Sequence, residues 1–126
     1  KVYELHGSIH RNYCQKCGRF YDAAYVKAAP GIPRCECGGV IKPDVVLYEE
    51  SLDAVTIQRS IQAISEADTL IIGGTSLVVY PAASFIDYFH GRHLVVINKS
   101  ATAWEVGAEL TISAPIGEIL GQITVK

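Results

Sequence analysis

The 126-residue chain contains no methionine. Translation starts with that residue, so the sequence is expected to be a piece of something longer. Nor is there a surplus of one charge. Eleven Lys and Arg stand against 13 Asp and Glu, a formal charge of −2. That balance leaves no electrostatic footprint for nucleic acid or an anionic membrane, and neither is expected as a partner. Long hydrophobic runs are missing too. The apolar stretches at 69–74 and 94–97 are broken by glycine or polar residues well short of a membrane span. The first residues given are polar, so no secretory leader is expected; no internal repeat or low-complexity tract is present, and the full Gly-x-Gly-x-x-Gly fingerprint is absent. What remains is 49% hydrophobic and 19% charged, enough to bury a core in one compact domain or two small ones.

The four cysteines come as Cys14-Gln-Lys-Cys17 and Cys35-Glu-Cys37. Two close pairs of this kind suit a structural zinc site. Two thiolates on one tight knuckle face a tetrahedral ion, and a second knuckle completes the shell. Gly18 and Gly38-Gly39 follow the pairs and let backbone amides turn toward sulfur. A disulfide or redox pair is the competing reading. With reduced thiols and no targeting segment, the expected location is cytoplasmic.

Composition then divides the chain. Residues 12–42 hold all four cysteines and many turn formers, and are expected to be a small loop-rich module with little core apart from its metal. Within it, residues from Asp22 to Ala29 suit a short helix ended by Pro30-Gly31. From Pro43 onward the pattern alternates. Val45–Tyr48 suits a buried strand, and Ser51 an N-cap for a helix to about Ala67 with Leu52, Val55, Ile61 and Ile64 near one face. Thr69–Gly74 reads as a strand entering a glycine turn. Pro81 opens a helix through Phe85, Ile86 and Phe89, and Gly91 suits its end. Leu94–Asn98 and Leu110–Ser113 read as further strands, and Pro115 begins a last helix reaching Ile123. This is the alternation of an α/β fold with a parallel sheet covered by helices on its faces, a half-sized doubly wound sheet with the cysteine module ahead of it.

Ligands of such sheets bind where strands lead into helices. Three loops qualify: Gly73-Gly74-Thr75-Ser76, Asn98-Lys99-Ser100, and Ala114-Pro115-Ile116-Gly117. Together they suggest a nucleotide, although Gly73-Gly74 alone reads equally as a tight turn. His6, followed by Gly7, suits proton transfer near neutrality, but by itself it reads as a bland polar histidine. His10, His90 and His93 read as surface or helix-end residues, and Trp104 and Tyr80 as core or interface residues. Glu49-Glu50 are neighbours that point apart in a strand, which argues against a paired-carboxylate site.

In this order, Glu4-Leu-His-Gly7, the two cysteine pairs, Lys42–Glu50, Gly74–Ala83 and Val96-Ile-Asn98 resemble the sirtuin family of NAD-dependent protein lysine deacylases, most closely its bacterial and archaeal branch. The resemblance covers essentially the whole chain. It implies the C-terminal half of a Rossmann-like parallel sheet plus the zinc module, with residues 1–11 as a catalytic-histidine segment, 12–42 as the zinc-binding module and 43–126 as a partial NAD-binding domain. It implies that His6 is the general base. The acyl-lysine carbonyl oxygen attacks the nicotinamide ribose of NAD+ and releases nicotinamide. In the reaction so implied, His6 then activates a ribose hydroxyl, and the acyl group is expected to end on ADP-ribose.

Carried over residue by residue, the resemblance makes Cys14, Cys17, Cys35 and Cys37 the ligands of a structural Zn2+. It gives Gly74, Thr75, Ser76, Asn98, Lys99 and Ile116 to the adenosine end of NAD+. It gives Val46, Tyr48, Glu49 and Glu50 to an acylated peptide added as a strand, with Val79 on the peptide's other side. Three departures accompany it. The Gly-Ala-Gly-type phosphate loop and the Gln-Asn-x-Asp segment belong upstream of Lys1. Glu49 stands where many members carry glycine, and the second cysteine pair is one residue short. The expected partners are therefore acylated-lysine proteins, NAD+ and the N-terminal half of the same protein, with the piece inactive alone. Two other readings remain: a zinc-ribbon binding or scaffold module without catalysis, and an inactive fragment whose free sheet edge pairs with a second copy or with the missing half.

Overall fold

The computed structural model describes residues 1–124; the side chain of Trp104 lies outside what it describes. The chain forms two compact units, Lys1–Ile57 and Gln58–Lys126.

The first unit is built on an antiparallel sheet of β1 (Gly7–Cys14), β2 (Phe20–Tyr21) and β3 (Ile41–Val45), in the order β2-β1-β3. The two-residue period of a strand sorts the aromatic side chains. Phe20 is exposed and meets Tyr13 edge to face, while Tyr21 packs against the buried cluster of Cys14, Cys35 and Ile41. Between Ser8 and Asn12 the β1–β3 register shifts. Asn12, buried to 1% exposure, sits at that irregularity, and its amide donates to the carbonyls of Ile9 (3.1 Å) and Tyr21 (3.2 Å). One side chain thus serves backbone oxygens on two strands. Helix α1 (Ala23–Ala28) follows, and the Asp22 carboxylate accepts the Tyr25 N–H at 2.8 Å as its N-cap.

Most of residues 12–42 lie in turns and loops, as expected, but the antiparallel sheet that frames them was not expected. Other expectations fail here. The apolar run 45–48 is not a buried strand of the parallel sheet. Only Val45 is in a strand, as the end of β3 antiparallel to β1, and Leu47 and Tyr48 are exposed in a turn where the Glu50 N–H meets the Leu47 carbonyl at 3.1 Å. Helix α2 (Ala54–Ser65) starts at Asp53 rather than Ser51, because the Asp53 carboxylate takes the Thr56 N–H at 2.7 Å. Val55 on α2 is exposed, whereas Ile57, Ile61 and Ile64 are half-buried.

The second unit carries a parallel sheet in the order β4-β5-β6, with β4 at Thr69–Gly73, β5 at His93–Ile97 and β6 at Leu110–Ile112. Its buried residues are Ile72, Val96 and Ile97 on the strands, with Ala83 and Phe85 from the crossover. That crossover, Ala82–Tyr88, is a helix where one was expected, of the 3-10 type. Its ends are held by i→i+3 bonds, Ser84 N–H to Pro81 O and Phe89 N–H to Ile86 O, and the Ser84 hydroxyl also donates to Pro81 O. Tyr80, just before it, is exposed and is no core residue. Helix α3 (Ile116–Leu120) follows β6. Among the described residues no helix is long and apolar enough to cross a membrane.

Candidate functional site

Cys14 ends β1, and Cys17 lies on the turn closed by the Gly18 N–H to Cys14 O bond of 2.9 Å. Cys35 and Cys37 lie on a second turn, closed by Gly38 N–H to Cys35 O and Cys35 N–H to Gly39 O, both 2.8 Å. The knuckles meet through glycine. A Cβ on Gly39 would sit 2.5 Å from Cys14 Sγ and 2.8 Å from Lys16 Cβ, so any larger residue would push the turns apart. The four sulfurs all lie within 4.8 Å of one another, with Cys14–Cys37 at 3.5 Å and Cys17–Cys35 at 3.6 Å.

Those distances are a test of ligand chemistry. A disulfide needs about 2.05 Å, and all four thiols are free. Tetrahedral thiolates about 2.3 Å from a zinc ion stand about 3.8 Å apart. The one-residue-short second pair therefore still delivers both sulfurs. Proton affinities agree with a cation-binding cage. The Tyr21 hydroxyl and then the Cys37 N–H push the Cys35 thiol down to about 6. The Cys17 and Lys16 amides lower Cys14. The Gly39 N–H favours the Cys37 thiolate, but the thiols of Cys35 and Cys14 outweigh it and push Cys37 up to about 12. Four sulfurs this close cannot all ionise on their own, and a divalent cation at their centre resolves the conflict. The residues present fit Zn2+.

Sequence reasoning missed the groups around this cage. Tyr21 is pushed up to about 12, chiefly by Cys35, and its hydroxyl is buried with no partner in hydrogen-bonding geometry.

His6 sits in the turn before β1 and is exposed. Its carbonyl accepts the Val46 N–H at 3.1 Å, so two expected site segments, His6 and 46–50, are joined directly. Arg11 braces the same turn from β1: its guanidinium donates to Asp44 at 2.9 Å and is also paired with Glu4. No local pattern could announce a contact between Arg11 and Asp44, which lie 33 residues apart.

Past Val46 the side chain of Tyr48 is fully exposed, and Glu49 holds a positive φ of 70°. That backbone conformation crowds a Cβ and suits glycine, the residue that the resemblance places there. Glu49→Gly is expected to raise stability by about 1 kcal/mol, read as a higher urea midpoint for the first unit. Glu50 accepts the Leu47 N–H and the Lys42 ammonium, both at 3.0 Å, and these hold its carboxyl below the usual carboxylate range. The folded turn therefore binds that proton less readily than the unfolded chain. Its stabilisation is complete above the ordinary carboxylate pKa and is lost as pH falls through the lowered one. Hydrogen exchange at the Leu47 amide, corrected for intrinsic rate, is expected to stay slow at neutral pH and to quicken only in acid; Glu50→Gln is expected to abolish that dependence.

In the second unit the three expected loops emerge at one end of β4, β5 and β6. Gly74 N–H bonds Ile97 O at 3.1 Å, and a Cβ on Gly73 would lie 2.0 Å from Ile116 Cδ1, so the glycine turn and the start of α3 touch. The Thr75 hydroxyl accepts the Leu77 N–H at 3.0 Å, and the Asn98 amide donates to Ser100 O at 3.0 Å. Ser76 and Asn98 line one cavity of about 440 Å3 together with Tyr80 and Thr102, within the usual range for a small-molecule site. Thr75 lines a different, apolar cavity beside Phe85. Lys99 and Val79 are exposed and line neither.

A family model described as the Sir2 family matches residues 1–81. Among curated proteins, an NAD-dependent protein deacetylase of Clostridium acetobutylicum is 64% identical over 121 residues, covering 94% of this chain and 49% of its own length. Another of that description, from Clostridium perfringens, is 57% identical over 124 residues, covering 97% and 51%. Among solved structures, Sir2 in complex with the inhibitor EX-527, 2'-O-acetyl-ADP-ribose and deacetylated p53 peptide matches with a TM-score of 0.84 at 33% identity, over 97% of this chain and 54% of that one. A complex of Sir2, p53 peptide and NAD+ matches with a TM-score of 0.81 at 31% identity, over 97% and 53%. The chain spans about half the length of the curated relatives it matches.

Proposed function

The chain belongs to the Sir2 family, and from that premise we propose that it is the zinc-bearing, adenosine-binding portion of an NAD-dependent protein lysine deacetylase. The observation that carries the reading is the junction of His6 with the 46–50 segment: Val46 N–H bonds the His6 carbonyl, and the backbone beyond it leaves the sheet with an exposed Tyr48. An acylated peptide lying along that segment as an added strand brings its lysine beside an exposed imidazole.

In this proposal His6 is the base for a ribose hydroxyl. Val46, Tyr48, Glu49 and Glu50 hold the peptide backbone, and Val79 keeps the peptide role that the resemblance gives it. Gly74, Thr75, Ser76, Asn98, Lys99 and Ile116 receive the adenosine end of NAD+; the shared cavity of Ser76 and Asn98 supports two of these assignments. Bound NAD+ supplies the ribose that accepts the acetyl group as nicotinamide departs. Cys14, Cys17, Cys35 and Cys37 hold Zn2+ in a closed shell, which makes the ion structural and leaves no open position for chemistry. The domain reading is carried forward with these roles: 1–11 bears the histidine, 12–42 the metal, and 43–126 part of the NAD+ site. An N-terminal half supplies the rest, and a cytoplasmic setting keeps the four thiols reduced.

Product analysis tests the reading. The whole protein, given NAD+ and an acetyl-lysine peptide, is expected to yield O-acetyl-ADP-ribose; free acetate formed without NAD+, or no deacetylation, would contradict it. A zinc-bearing scaffold without catalysis would give the second outcome.

A further inference from the structure

Tyr21 is placed with unusual care for a residue with no role in the reaction. Strand β2 is two residues long and pairs with β1 through Asn12↔Tyr21. The buried Asn12 amide fixes the Tyr21 carbonyl at 3.2 Å, and the Tyr21 ring lies 4.5 Å from that of Tyr25. Held from two sides, the ring packs on the cluster containing Cys14 and Cys35. Its hydroxyl is buried and unpartnered, a state that native proteins avoid unless some acceptor is still to come. The acceptors at hand are cysteine sulfurs. A thiol is a weak acceptor, but a metal-bound thiolate is a strong one, and a phenolic O–H can rotate toward it at little cost.

We propose that Tyr21 is a positioning residue of the metal site, whose hydroxyl donates a hydrogen bond to the Cys35 thiolate once Zn2+ is bound. The bond would fix the Cys35 rotamer, take up part of the thiolate charge and satisfy the orphaned hydroxyl in one step. Outer groups of this kind typically change metal affinity by about 10–100-fold. The inference rests on the zinc reading of the four cysteines.

The test is Zn2+ affinity of the chain by competition with a chromophoric chelator, with Tyr21→Phe against Tyr25→Phe. Tyr25 is the control because its hydroxyl bonds the Arg34 carbonyl at 3.0 Å rather than a sulfur. Tyr21→Phe is expected to bind Zn2+ about 10-fold more weakly, and Tyr25→Phe to match the unaltered chain. With Co2+ in place of Zn2+, the sulfur-to-metal charge-transfer band of Tyr21→Phe is expected at longer wavelength, since losing a hydrogen bond raises the sulfur lone pair. Equal affinity and an unmoved band in Tyr21→Phe would overturn the proposal, as would equal weakening by Tyr25→Phe. An unaltered chain that takes up no Zn2+ would overturn the zinc reading and this inference together; metal uptake with no Tyr21 effect would overturn this inference alone.

Discussion

Stripping the metal with a chelator is expected to unfold the first unit. Its buried apolar cluster consists of Cys14, Cys35 and Ile41, backed by Tyr21 and Val26, so two of its three central members are proposed metal ligands. Without the ion, four close cysteine sulfurs with nothing to bind them together stand where a core would be. A structural zinc site contributes on the order of 10–16 kcal/mol of apparent binding energy, far more than so small a cluster can replace. The second unit has its own buried set in Ile72, Ala83, Phe85, Val96 and Ile97. Chelation is therefore expected to abolish amide protection across β1, β2 and β3 while β4, β5 and β6 keep theirs. Cys35→Ser should do the same without a chelator. Hydrogen exchange followed by peptide mass reads both regions in one experiment, and protection of β1 that survives chelation would contradict the metal's structural role.

Replacing His6 by alanine is expected to cut the turnover of the whole protein by about 100- to 10,000-fold, the usual worth of a positioned general base. The loss should come without unfolding. The His6 side chain is exposed, and the turn is held by its backbone carbonyl, which alanine retains, and by the Arg11 contacts with Glu4 and Asp44. Zinc content and the urea midpoint are therefore expected to match those of the unaltered protein. Turnover within a few-fold of the unaltered rate would remove His6 from the chemistry and leave the metal and nucleotide assignments standing.

The parts of this molecule legible in its sequence are those whose signal is local. Cysteine spacing announced the cage, the run from Asp22 announced α1, a β-branched run entering a glycine turn announced β4, and an uncharged β-branched run announced β5. The first sheet stayed hidden because β1 reads Gly-Ser-Ile-His-Arg-Asn-Tyr-Cys, polar through most of its length and shifted in register at Asn12, while β3 carries Lys42 and Pro43. The run 45–48 misled because apolar residues that belong to an exposed turn look the same as those of a buried strand. Within the site, His6, the cysteines and the three loops stood at readable positions. Arg11, Asn12 and Tyr21 act through partners on other strands, and no spacing rule could reveal them.

In the proposed reaction, acetyl transfer and nicotinamide loss are coupled. The direct measurement is a count of both products when the whole protein meets NAD+ and an acetyl-lysine peptide. One nicotinamide is expected per acetyl group removed, and little nicotinamide when the peptide is left out. Deacetylation without nicotinamide, or nicotinamide released equally with and without the peptide, would contradict it.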